Sequence, residues 1–231
     1  MPKICKNCSE DGKWLPTPIN TLDAYLQKFI PKGVTIPNTR ALRKNIAYNL
    51  QYLQYLDQTL NEFNLTSVLV TQTWKVFIIA GAGIIEALLY YLLCSKGMYN
   101  ETEWELLAKK ATNEFKLAGR MHKIENILWV KLTSPRPDAM TFESMIQKVE
   151  TRKLLGGDHE IYKKLQFLRK LRNRVHLHSI EDEGDTDWTS FNKSEIATMK
   201  YALYTLLTGN LFSPKASEKK MFAFLDTSDA A

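Results

Sequence analysis

The chain is poor in the residues that make turn-rich β folds. Ten glycines and eight prolines in 231 residues are too few for a barrel or sandwich of this size. Cysteine is scarcer still. Three cannot form a disulfide framework, and an odd count suits a reducing, cytoplasmic setting. The stretch from Met1 to Lys13 holds no apolar core of a secretory signal, so the four Asn-x-Ser/Thr matches are not read as glycan sites. A phosphate-cradling loop is missing: Gly81-Ala82-Gly83 lies in an apolar segment with no Lys-Ser/Thr after it. No Ser/His/Asp set assembles, and the apolar stretches lack the paired carboxylates of a bundle-type di-iron centre. Cys5 and Cys8 form half of a zinc ribbon without a second pair, and no histidine follows at finger spacing. Neither a metal nor a cofactor is therefore expected.

What remains is ordinary globular composition, 45% apolar and 24% charged, which excludes disorder and collagen-like classes. A net charge of +6 suits a polyanionic partner, but averaged over the chain it is thin. One long apolar run exists, Val76 to Cys94, with Glu86 as its single charge. It is about long enough to cross a bilayer. A carboxylate at the middle of such a span costs roughly 2.5–3.5 kcal/mol. The favoured expectation is a central helix covered on all sides by others, with membrane anchoring the weaker alternative.

Along the chain, residues 1–38 read as a preamble, 39–212 as one helical domain and 213–231 as a polar tail. Within the preamble Leu22 to Ile30 is a short amphipathic stretch stopped by Pro31 and Gly33. From Thr39, Leu42, Ile46, Leu50, Leu53, Leu60 and Phe63 recur on one helical face. The apolar segment follows, from about Thr71 to Ser95. Asn100 reads as a helix cap followed by Trp104, Leu106, Leu107, Ala111 and Phe115, ending at Gly119. A further helical pattern spans Met121 to Leu132, and Ser134 to Asp138 is a loop because two prolines bar a helix. Thr141 and Asp158 open two more helices, and Asn192 with Glu195 has capping-box spacing for the last. The tail carries one apolar patch, Met221 to Leu225. Nothing reads as a strand: Ser67 to Val70 is β-branched but too short and isolated to build a sheet. The expected class is all-α, a helical bundle.

Chemistry concentrates in Phe167 to Ser179, FLRKLRNRVHLHS, which holds two of the four histidines. On a straight helix Arg169, Arg172 and His176 share one face, beside an inward stripe of Leu168, Leu171 and Val175. Arg174 and His178 form a second pair, and Lys170 adds charge. A guanidinium can grip phosphate oxygens in two places and stabilise a charged transition state. Imidazole titrates near neutrality and can move protons to or from a ribose hydroxyl. From Lys148 to Arg174 basic residues outnumber acidic ones, as a nucleic-acid backbone requires. An acidic loop, Glu181 to Asp187, follows and cuts the other way unless it shapes the site. An exposed basic helix with surface histidines is also a common and inert feature.

Two motifs resemble the HEPN superfamily of helical domains. AGAGIIEALLYYLL (Ala80 to Leu93) is similar to its apolar helix with an internal acidic residue, here Glu86. LRKLRNRVHLH (Leu168 to His178) is similar to its signature of arginine, polar residue and histidine on a late helix. The resemblance spans roughly residues 40 to 210. It implies a helical bundle of the HEPN type with extra helices, working as a homodimer whose signature helices face each other. It further implies a metal-independent endoribonuclease in which the ribose 2'-hydroxyl attacks the adjacent phosphate of RNA. Such domains occur in toxin–antitoxin and phage-defence settings with an antitoxin or regulatory protein, and others only bind nucleotides or partners. By this resemblance Arg172, Asn173 and either His178 or His176 are catalytic, Arg169, Lys170 and Arg174 bind substrate, and Glu86 supports the signature helix. Family spacing favours Arg172 with His178, whereas straight-helix geometry favours Arg172 with His176.

Overall fold

A helix apolar over most of its circumference can be buried only by surrounding it, and that requirement organises the chain. The computed structural model describes residues 16–32, 36–178, 180 and 182–227. Its central element is α3 (Ser67–Ser95), longer at its start than the sequence reading because Ser67 to Val70 is its first turn. Around it stand α2 (Thr39–Glu62), α4 (Phe142–Thr151), α5 (His159–Asn173), the short α6 (Asp187–Ser190) and α7 (Lys193–Thr208), all in contact with it. Phe77, Ile78, Ala82, Ile85, Leu88 and Leu89 are buried in this packing. α3 has the length and hydropathy of a membrane span, and most of its apolar window is covered by these helices.

The segments at both ends join the same core. α1 (Ile19–Leu26) packs on α2 and buries Leu22, Tyr25 and Leu26. The Tyr25 hydroxyl donates to the carbonyl of Leu207 in α7. Arg43 of α2, buried to 2% exposure, donates to Asp23 (3.0 Å) and to the carbonyl of Ile30 (3.1 Å), so its charge is compensated. After α8 (Ala216–Lys219), a 3-10 turn, Lys220–Leu225, buries Phe222 and Leu225, the apolar patch of the tail. Cys5 and Cys8 lie outside the described residues.

The all-α expectation is corrected here. The chain is mixed, 56% helical and 15% strand, and residues 101–137 form a long antiparallel hairpin instead of two helices. β1 (Glu101–Ala111) pairs with β4 (Glu125–Pro137), and β2 (Phe115–Leu117) with β3 (Arg120–His122). Thr112 donates to Ile124 between these pairings, so they run on as one ribbon. Asn100 therefore caps no helix, and Ser134 to Pro137 belongs to β4. Glu, Leu, Ala and Lys in β1 favour a helix in isolation. The β-branched and aromatic run Ile127 to Val130 favours a strand, and cross-strand pairing with it prevails. At the tip Ala118 (φ 49°) and Gly119 (φ 78°) are the two central residues of the turn, both left-handed, as a type I′ hairpin demands. Gly119 is thus a hairpin residue and not a helix stop.

Where α3 meets α7 the helices approach closely. A Cβ at Gly81 would lie 2.6 Å from the Met199 sulfur, whereas one at Gly83 would meet nothing within 4 Å. Gly81→Leu should therefore destabilise the protein by about 1–3 kcal/mol. Gly83→Ala should stabilise it by about 0.5–1 kcal/mol through helix propensity. Urea unfolding of the two variants checks both signs.

Candidate active site

α5 carries the signature residues, and its geometry follows from both its ends. Asp158 caps its start, its side chain accepting from the Glu160 backbone (2.9 Å). Tyr162 reaches back to the preceding turn, donating to the Gly156 carbonyl (3.0 Å) and accepting from the Leu155 amide (3.1 Å). Leu165, Leu168 and Leu171 bury the inner face. The helix then stops at Asn173, with Arg174 as its C-cap. The next turns are held by backbone bonds from Val175 to Arg172 and from His176 to Asn173, each 3.3 Å.

This early stop changes where the side chains lie. His176 is off the helix, so it does not share a helical face with Arg169 and Arg172. Val175 is exposed and does not continue the inward stripe. His176 and His178 both sit on the exposed turn, with ring centroids 6.0 Å apart and planes inclined by 50°. The angular conflict between Arg172 and His178 existed only for a helix continued through residue 178. A chain that turns at 173 removes it.

The three arginines are each tied to a carboxylate. Arg172 Nη2 lies 3.2 Å from Glu86 Oε2, the pair bridging α5 and the middle of α3. Both side chains keep partial solvent contact, 38% and 29% exposed, so the pair contributes on the order of 1 kcal/mol. Its main effect is to hold one edge of the guanidinium. Arg169 pairs with Glu143 of α4 at 3.2 Å, and its Nε is buried with no hydrogen bond. Arg174 pairs with Asp185, whose side chain is only 6% exposed. Lys170 and Asn173 are exposed, and their side chains have no hydrogen-bond partner among the described residues. Of the residues expected to bind substrate, two thus also fasten elements together, and Lys170 stands open.

Sequence reasoning missed Glu143 and Asp185 as partners. No spacing links either to its arginine, although Asp185 lies in the acidic loop noted after the signature. That loop is anchored a second time where α6 begins. Asp187 accepts from Lys75 at 2.8 and 2.9 Å and from Gln72 at 2.9 Å. Burial opposes ionisation of Asp187. The hydrogen bonds from Gln72 and Lys75, with the charges of Lys75 and Arg174, outweigh it and hold the carboxyl below its usual range. Asp185 and Asp187 thus tie the described part of the acidic loop to the end of α5 and to α3.

No protein family model, curated protein or solved structure matches this chain. The reading of the site therefore rests on its own residues: an arginine paired with a partly exposed carboxylate of α3, at the end of the helix that leads into the turn carrying two neighbouring imidazoles.

A depressed folded-state pKa makes Asp187 stabilising above its unfolded pKa, near 3.9. That contribution fades as pH falls through the lower folded value. Asp187→Asn should cost about 1–2 kcal/mol at pH 7. The gap to the unmodified chain should narrow as pH falls through the lowered folded-state value, as thermal melts across pH will show.

Proposed function

We propose that the chain is a metal-independent endoribonuclease, similar to HEPN-type nucleases, that cleaves RNA through attack of a ribose 2'-hydroxyl. The observation that carries this reading is Arg172, held by Glu86 at 3.2 Å, in the last turn before the two adjacent imidazoles. With Nη2 committed to Glu86, the other N–H groups of Arg172 are available to phosphate oxygens and to the extra charge of a phosphorane. One histidine takes the proton from the 2'-hydroxyl as the oxygen bonds to phosphorus. The bond from phosphorus to the 5'-oxygen breaks, and that oxygen receives a proton from an imidazolium. The products are a 2',3'-cyclic phosphate and a 5'-hydroxyl. Lys170, and the exposed parts of Arg169 and Arg174, draw the RNA backbone toward the turn. Asn173, beside Arg172, orients substrate by hydrogen bonding. The resemblance adds a second copy of the chain with its own signature helix facing the first.

Cleavage of single-stranded RNA in EDTA, with 2',3'-cyclic phosphate ends, is the expected activity. Arg172→Ala should slow it on the order of 10²–10³-fold. A His176→Ala/His178→Ala double variant should lose at least 10²-fold, and the single variants show which imidazole dominates. Cleavage left intact in both Arg172→Ala and the double-histidine variant sinks the reading. The same residues would then belong to a non-catalytic module for a protein or nucleotide partner.

A further inference from the structure

α2 buries one side and offers the other to water, and the two sides differ in kind. Ile46, Leu50 and Leu53 are buried, whereas Tyr48, Tyr52 and Tyr55 are each about half exposed on the outer face. The rings of Tyr52 and Tyr55 are nearly parallel, inclined by 19° with centroids 6.1 Å apart. None of the three hydroxyls has a hydrogen-bond partner among the described residues. At 100° per residue Arg40 and Lys44 fall on the same face. The five side chains therefore form one stripe, about a third of the circumference wide and about 22 Å long.

Charge along this stripe has one sign. From Arg40 to Tyr55 α2 carries no acidic residue. Its start opens on a cleft of about 510 Å³ lined by Asp23, Lys32, Thr39, Arg40, Arg43 and Lys44. The single carboxylate there, Asp23, accepts from the buried Arg43 at 3.0 Å and lies 3.5 Å from Lys44. Arg40 and Lys32 have no ion pair among the described residues. Four cations against one carboxylate leave the cleft strongly positive.

Cations leading into a row of open aromatic rings match the chemistry of an unpaired nucleic-acid strand. Phosphates meet the charge, and bases of any sequence stack on the rings. Asn45 and Asn49, exposed beside the tyrosines, present amide groups suited to base edges. A duplex suits the stripe poorly, because its bases are stacked on one another and leave no faces for the rings.

We propose that the outer face of α2 binds single-stranded nucleic acid, with phosphates at Lys32, Arg40 and Lys44 and bases stacked on Tyr48, Tyr52 and Tyr55. Stacking and phosphate contact are common to RNA and DNA, so the test carries both. The proposal does not rest on the nuclease reading, and strands without a free 2'-hydroxyl keep the two apart.

Fluorescence anisotropy of the full chain at low salt, with labelled oligothymidylate and 2'-O-methyl oligouridylate of about ten nucleotides, slightly longer than the stripe, should show binding. The tighter of the two names the natural source. A duplex of equal length should bind at least roughly tenfold more weakly. Tyr48→Ala/Tyr52→Ala should weaken strand binding by roughly tenfold or more without altering its salt dependence, and Tyr48→Phe/Tyr52→Phe should retain it. Arg40→Ala/Lys44→Ala should flatten the slope of log affinity against log salt by about 1.4, at about 0.7 per phosphate contact. All three variants should keep the helical circular dichroism, because the altered side chains face away from the core. Strand binding that survives Tyr48→Ala/Tyr52→Ala but vanishes in Arg172→Ala overturns the proposal while sparing the nuclease. Duplex binding as tight as single-strand binding, or no binding of either strand at about 100 μM protein, overturns it as well and leaves the tyrosines to a protein partner.

Discussion

The burial of α3 is the constraint from which the rest of the architecture follows. A 29-residue helix with apolar side chains on nearly every side must be enclosed, and α2, α4, α5, α6 and α7 enclose it. Enclosure makes its few polar groups demanding, because a charge deprived of water needs a partner. The buried Lys75 is met by Asp187, and the partly exposed Glu86 also finds a partner, Arg172. Those two pairs link the start of α6 and the last turn of α5 to the central helix. The polar residues of the central helix thus locate the candidate site.

The candidate site is a helix end joined to a turn. α5 brings Arg172 to Glu86 through its buried leucines, then stops at Asn173 and frees the backbone to place both histidines together. Glu143 and Asp185 hold the flanking arginines, which leaves Arg172 and Lys170 as the cations best placed to meet a phosphate. A surface arginine without Glu86 would sample many rotamers, and ordering it would oppose binding. Anchoring one edge of the guanidinium in advance reduces that entropic cost.

Local signals proved legible where the chemistry was local. Thr141, Asp158 and the Asn192–Glu195 box cap the helices their spacing announced. The buried stripe of α2 and the apolar run of α3 are equally plain in the sequence. The ribbon was not. β1 is built from helix formers, and its strand state exists only through pairing with Ile127 to Val130, about twenty residues away. Its turn lacks an Asn-Gly or Asp-Gly pair, and Ala118 adopts a left-handed conformation seldom taken by that residue. The partners of Arg169 and Arg174 were hidden for the same reason, since sequence spacing carries no information about which carboxylate another element brings near.

By itself, the sequence determined that α3 would be a buried centre, that capped amphipathic helices would surround it, and that arginine and histidine would gather late in the chain. These are properties of neighbouring residues at helical spacing. Tertiary structure alone decided that residues 101–137 form a ribbon, that Glu86 receives Arg172, and that the chain turns at Asn173 to set His176 beside His178. Each of these depends on contacts between residues distant in sequence or on where a helix ends. The energies that decide them, cross-strand pairing, charge compensation and the end of burial beyond Leu171, arise only once the elements have met.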